Sequence, residues 1–398
     1  MRRAASERRP LSRGFCVLVS SLAIAAPAAP TAAQTSSWQQ RIEAAPKPPR
    51  PPQAKPAPKV KTQPVAPSAA PKTRLDGAAG AGVPKAVSAK PLGPATTAGR
   101  AAAGQDDAGG EAAYEAFDQG RYLTALDLAQ KAAAGGDPQA HTLIGRIHAE
   151  GLGVPQSEAT AAKWYARAVE LGDVEAAFAL GVLYARGSPG LERNYAEAAR
   201  LFEMAAAREH ALANYNLGLL FLNGQGRPEN PHRAFAHIRF AAWRGVVAAQ
   251  YDLGTLYATG TGVEANAFEA ARWIEKAANA GHPEAEIEFA TTLFKVDAPP
   301  GDATALEKQK AAEKRGAALF RSAAEKGYPI AQNRLARCYA YGKGVEENTF
   351  EAVKWHLIAK AGGHDDELLE TLVKKLSRAD RQKAEKAAEE WLERWQIQ

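Results

Sequence analysis

Residues 250–281 read QYDLGTLYATGTGVEANAFEAARWIEKAANAG, and their spacing decides the fold. Ala249, Leu253, Leu256 and Tyr257 fall at offsets −4, 0, +3 and +4 from Leu253, which is one face of an α-helix. Gly254, beside Leu253, lets a second helix approach closely. Gly260-Thr261-Gly262-Val263 then ends the helix, because the first Gly suits a left-handed C′ position. Asn266 stands three residues before Glu269, the spacing of a capping box, and opens a second helix centred on Trp273 and ending near Gly281.

The unit recurs. Leu180-Gly181, Leu217-Gly218 and Leu253-Gly254 are 37 and 36 residues apart, and Ile144-Gly145 lies 36 before the first. Phe289-Ala290 follows 36 after the last, and Leu335-Ala336 another 46 on. Four residues before each stands Ala: Ala140, Ala176, Ala213, Ala249, Ala285 and Ala331. The Gly turn returns at Gly151, Gly187, Gly224 and Gly342, and the cap at Ser157, Asn194, Asn230 and Asn348. Trp164, Leu201, Trp273, Leu319 and Trp355 occupy the middle of the second helices. A period in this range marks a stacked helical solenoid, in which each unit buries its apolar face against its neighbours.

Together these positions resemble the Sel-one-like repeat, a variant of the tetratricopeptide fold, over roughly Asp137 to Gly363. The resemblance implies an all-α fold: a right-handed superhelical solenoid of antiparallel helix pairs with a concave groove. It also implies work in assembling or regulating other proteins. Some exported members pin each repeat with a disulfide. Here Cys16 lies in the leader and Cys338 stands alone, so no such framework is expected, and neither is a hydrolase activity tied to it. One unit departs from the pattern. It has Ala290 for Gly, replaces the Gly-x-Gly turn by Asp297-Ala298-Pro299-Pro300-Gly301, and gains ten residues near 306–315. These either lengthen the second helix or form a bump for a partner.

The chain divides by composition. Residues 1–33 carry a basic stretch (Arg2, Arg3, Arg8, Arg9, Arg13) and an apolar run from Phe15 to Ala26, too short to span a bilayer. We expect an export signal, cleaved before Gln34; a retained signal anchor is the alternative. Residues 34–110 are rich in Pro, Ala and Lys, and no aromatic residue occurs between Gln39 and Ala113. This segment is expected to be disordered, extended and spacer-like, with Lys47, Arg50, Lys55, Lys59 and Lys61 available to anionic wall polymer or lipid. Residues 111–136 read as an N-terminal partial repeat or cap, 137–365 as the repeats, and 366–398 as C-terminal capping helices.

Charge follows the same division. Residues 1–100 hold 16 Lys or Arg against 3 Asp or Glu, whereas the whole chain holds 50 against 44. The solenoid is therefore net acidic, which argues against nucleic acid as its partner. No H-E-x-x-H, P-loop, G-x-S-x-G or paired C-x-x-C occurs. His148, His210, His232, His237, His282 and His364 are scattered, and neither a metal site nor any other cofactor is expected. Cys338 falls in the column of Leu183 and Leu256, a core position.

By the resemblance, the first helix of each pair lines the groove. Phe178, Tyr215, Asn216, Tyr251, Asp252, Asn333 and Arg334 are then the candidate partner-binding residues, with inter-repeat packing as the other reading of the aromatic ones. The expected protein is an exported, non-enzymatic scaffold of the periplasm or cell envelope. Its expected partner is a protein of envelope or sensor-kinase type. A wall-associated structural protein, tethered by its basic Pro-rich segment, is the rival expectation; a hydrolase is a third, for which no residue can be named.

Overall fold

The structure, a computed structural model, describes residues 108–397. The expected signal, Cys16 and all but the last few residues of the Pro-rich segment lie outside these residues. Sixteen helices follow one another in the described part. Two open it, α1 (Ala108–Asp118) and α2 (Tyr122–Ala134). Six pairs follow: α3 (Pro138–Glu150) with α4 (Glu158–Glu170), α5 (Val174–Arg186) with α6 (Tyr195–Ala207), and α7 (Ala211–Asn223) with α8 (Pro231–Trp243). Next come α9 (Val247–Thr259) with α10 (Ala267–Asn279), α11 (Pro283–Leu293) with α12 (Ala303–Glu325), and α13 (Pro329–Tyr341) with α14 (Thr349–Ala361). The last two are α15 (Glu367–Lys375) and α16 (Arg378–Ile397). From α1 to α15 each helix packs on its neighbours in the chain, and α16 returns onto α14. This is an α-solenoid.

The Leu-Gly step works as a socket. A Cβ added at Gly254 would lie 2.7 Å from Ile274 Cγ1 and 3.2 Å from the Ala270 carbonyl. Gly145, Gly181 and Gly218 stand as close to Tyr165, Phe202 and Ile238. The sockets thus receive the residue after the Trp column: Tyr165, Phe202, Ile238, Ile274, Phe320 and His356 all lie in it. The turn has its own contact. A Cβ on Gly262, whose φ is 72°, would overlap the Pro231 carbonyl of the preceding unit at 2.0 Å. The second Gly of the turn therefore serves stacking between units, beside the first Gly that ends the helix.

The caps differ in one respect from a capping box. Asn194, Asn266 and Asn348 accept from the backbone N–H of Glu197, Glu269 and Glu351 at 3.0–3.1 Å, as the spacing requires. The three Glu side chains do not reach back; they pair with Arg200, Arg272 and Lys354. The cap N–H groups have another acceptor, the carbonyls of Tyr184, Tyr257 and Tyr339 at 2.8–2.9 Å. That bond closes each Gly turn and leaves the Glu free for its i+3 cation.

The divergent unit keeps its packing by moving the glycine. Ala290 replaces Gly on the first helix, while Gly316 replaces the Ala of the second. A Cβ on Gly316 would lie 2.6 Å from Phe294. The ten extra residues lengthen the second helix: α12 runs 23 residues where its counterparts run 13. The Glu313 carbonyl on this helix seats against Gly344 of the next turn.

Candidate functional site

The first helices α5, α7, α9, α11 and α13 present successive units side by side. Tyr215 Oη on α7 donates to Asp252 Oδ2 on α9 at 2.9 Å. Tyr328, which caps α13, donates to Glu284 on α11 at 3.1 Å. One continuous face therefore carries the residues proposed from the sequence, and their accessibility is uneven.

Phe178, Tyr215, Asn216 and Asn333 are buried. Phe178 stacks on His210 of the next unit with centroids 4.6 Å apart. Asn216 donates to the Leu212 carbonyl within its own helix, and Asn333 donates to Asp366 at 2.9 Å. These four side chains are engaged in packing within and between units. Tyr251 and Asp252 are half-buried and Arg334 is exposed. Tyr251 stacks on His282 at 4.6 Å. Glu284 and Glu288, on α11, join them as exposed neighbours that the sequence reading did not include. Their signal was available: Glu288 occupies the position before Phe289, equivalent to Asp252 and Arg334 in their own units.

The carboxylates sit in unlike settings. Burial pushes the Asp252 carboxyl up to about 6; the Tyr215 hydrogen bond opposes the shift and the Glu284 charge adds to it. No lysine or arginine among the described residues pairs with Asp252, Glu284 or Glu288. Asp366 is the opposite case. Burial raises its carboxyl, but Arg337, whose Nε donates at 2.7 Å, and Asn333 outweigh that and bring it down to about 2. Asp366 also caps α15, accepting from the N–H of Leu368 and Leu369. Arg334 makes no ion pair or hydrogen bond among the described residues. It lines a cavity of about 370 Å³ with Asn333, Arg337, His364, Leu368 and three carboxylates, Asp365, Asp366 and Glu367.

Buried polar residues join helices elsewhere. Gln250 and Gln332 donate to the Ala242 and Ala324 carbonyls of the preceding helix, and buried Glu286 accepts from Ser322 and Lys326. Cys338 is a free, buried thiol, pushed up to about 12 by burial first and by Glu313 second. His356, Asp365 and Glu370 bring ligand-type atoms within 4.8 Å of one another. Lys360 bonds Glu370 there and lies 3.8 Å from Asp365, so an ammonium already supplies the positive charge a metal ion would bring. No helix among the described residues is long and apolar enough to cross a membrane.

Known proteins share this architecture. A Sel1 repeat protein from Oxalobacter formigenes superposes with a TM-score of 0.55 at 25% identity, over 68% of this chain and 75% of that one. The protective antigen c5321 of uropathogenic Escherichia coli, described as having an SLR fold, aligns at 23% identity over 68% and 72%, with a TM-score of 0.42. The Arabidopsis thaliana ERAD-associated E3 ubiquitin-protein ligase component HRD3B is 39% identical over 84 residues, which is 21% of this chain and 13% of the relative. The chain thus matches only a small part of that protein's length. The Sel1 repeat profile matches residues 122–137, 138–173, 174–210, 211–245, 247–282 and 329–364, leaving out the divergent unit. With its helix pairs, sockets and turns in register with that repeat, the chain belongs to the Sel1 repeat family, whose solenoids are of the protein-interaction scaffold type.

Proposed function

We propose that this chain is an exported, non-enzymatic scaffold or regulator of the cell envelope that binds another protein through its solenoid. The observation that carries the reading is the first-helix face. It runs unbroken across units and offers half-buried and exposed Tyr251, Asp252, Glu284, Glu288 and Arg334 to a partner. A surface built by repetition suits an extended ligand better than a reacting centre. The residues that touch across units there are engaged in hydrogen bonds and stacking, with no nucleophile–base pair among them. The Arabidopsis relative is described as a component of a ligase, which is likewise a part in an assembly. The basic leader and its short apolar run support export, and the partner is then an envelope assembly complex or the sensor domain of a membrane kinase.

A second reading has its own observation. Residues 34–100 hold 11 Lys or Arg against 2 Asp or Glu, enough charge to hold an anionic wall polymer. Affinity capture from a crosslinked envelope fraction separates the two, using the chain from Gln34 beside one starting at Ala108. A saturable protein partner recovered by both forms supports the solenoid. Recovery of wall polymer by the longer form alone makes the Pro-rich segment the functional element and overturns the first reading.

A further inference from the structure

His356 is an imidazole in a column otherwise filled by aromatic and aliphatic side chains, Tyr165, Phe202, Ile238, Ile274 and Phe320. It is wholly buried, and its Nδ1 finds no hydrogen-bond partner. A buried polar group of this kind is costly unless its other contacts repay it. Those contacts are made by the second ring nitrogen. Nε2 lies 3.2 Å from Glu370 Oε1 on α15 and 4.0 Å from Asp365 Oδ1, just before α15. Lys360, one turn further along α14 and exposed, bridges the same two carboxylates. Charge is uneven around them. Asp365 also lines the cavity that holds Arg334, Arg337, Asp366 and Glu367. With the imidazole neutral, the four carboxylates Asp365, Asp366, Glu367 and Glu370 meet three cations, Arg334, Arg337 and Lys360. A divalent ion in place of the Lys360 ammonium would bring the two sums level.

We propose that His356, Asp365 and Glu370 form a zinc site, in which the metal displaces the Lys360 ammonium and ties α15 to the last repeat. One imidazole nitrogen and two carboxylate oxygens suit zinc, with water in the fourth position, whereas calcium and magnesium prefer oxygen alone. The geometry is close to what zinc needs. Bonds of about 2.0–2.2 Å set tetrahedral ligand atoms about 3.4 Å apart. The pair His356 and Glu370 is already near that separation, and all three ligand atoms lie within 4.8 Å of one another. Asp365 is exposed, so a small rotation of its carboxylate closes the set. Lys360 leaves easily, because its long side chain is nearly half exposed. Zinc on Nε2 leaves the ring proton on Nδ1, which has no acceptor. Lacking that supporting bond, and with an ammonium to displace, the site binds in the micromolar and not the nanomolar range.

The probe is zinc ion itself, added to the metal-stripped full chain in competition with a chromogenic chelator. The expected result is a single equivalent bound with micromolar affinity. His356→Phe, which installs the residue found at Phe202 and Phe320, should weaken binding by about tenfold or more and leave the melt of the metal-free chain no lower. Glu370→Gln should weaken binding likewise. Lys360→Met should tighten it by about tenfold or more, because no ammonium then has to leave. Saturating zinc should raise the melting temperature of the parent and slow hydrogen exchange in α15, and should do neither in His356→Phe. The proposal is overturned by no binding up to about 100 µM zinc, or by a Lys360→Met variant that binds no better than the parent. It is overturned equally by magnesium competing on equal terms, or by His356→Phe and Glu370→Gln binding like the parent, which would mark an adventitious ion only. Should His356→Phe fail to fold, Glu370→Gln and Lys360→Met, at half-buried and exposed positions, carry the test. Capture of a protein partner in the presence of chelator tests the scaffold reading separately, so the two fail independently.

Discussion

At the scale of single residues, the face is tuned by how far each ionisable group is sunk. Asp252 holds its proton more tightly in the fold than in the unfolded chain, because burial disfavours its charge. A raised carboxyl of this kind costs stability above its folded pKa of about 6, and the cost is relieved as pH falls from there toward the unfolded value near 4. Asp252→Asn keeps an oxygen for the Tyr215 hydroxyl and removes the charge. It should raise stability by on the order of 1–2 kcal/mol at pH 7.5, with the gain shrinking by pH 5, as denaturant melts at the two pH values would measure. His210 shows another kind of tuning. Its Nδ1 accepts the Ala213 N–H at 3.0 Å, an N-cap made by an imidazole where Asp173 caps the unit before. Only an unprotonated Nδ1 can accept that bond. The other nitrogen lies 3.2 Å from Glu175, and that hydrogen bond is the main reason the Glu175 carboxyl is lowered. His210→Ala should cost about 1 kcal/mol through the lost cap. His210→Asp should restore most of it in thermal melts and leave the Phe178 ring without its stacked neighbour.

At the scale of elements, the divergent unit tests whether the socket or the glycine matters. Gly316→Ala would drive a methyl group to 2.6 Å from Phe294, although Ala is the residue at Ala161, Ala198, Ala234, Ala270 and Ala352. It should destabilise the chain by about 1–3 kcal/mol as an overpacked core does, and Phe294→Leu should recover part of the loss in the double variant's melt. A repeat-by-repeat reading that expects Ala at this column would predict no cost. The same exchange marks the limit of the sequence. Helix pairs, turns and caps were legible because Leu, Gly and Asn recur at fixed offsets. The relocated glycine was not, since it appears only when both columns are seen to face each other. The engaged Glu side chains of the caps were hidden too, because the spacing of a capping box says nothing of the Tyr carbonyl that already holds the cap N–H. At the face, the columns of Phe178, Tyr215, Asn216 and Asn333 were found from period alone. Period cannot say which of them a neighbouring unit covers, and Glu284 and Glu288 were overlooked because they fall in the unit whose pattern is least regular.

At the scale of the whole molecule, a solenoid must cover its last unit, and here two helices do so. Leu369 and Val373 of α15 and Ala384 and Ala388 of α16 are buried. Trp391 lies 5.7 Å from Trp355 and 6.1 Å from Trp395, and the Trp395 ring lies over Gly327. Ending the chain after Lys375 would strip α16 from α14 and open Trp355, Val353 and the core around Phe320 to water. Because each unit leans mainly on its neighbours, the loss should stay local. The expected outcome is a red shift in tryptophan emission and a concentration-dependent rise in apparent mass by light scattering, with helical signal lost only in proportion to the residues removed. Hydrogen exchange should then quicken in α13 and α14 and remain slow in α5 to α8. A collapse of protection along the whole chain would show instead that the array unfolds as one cooperative body.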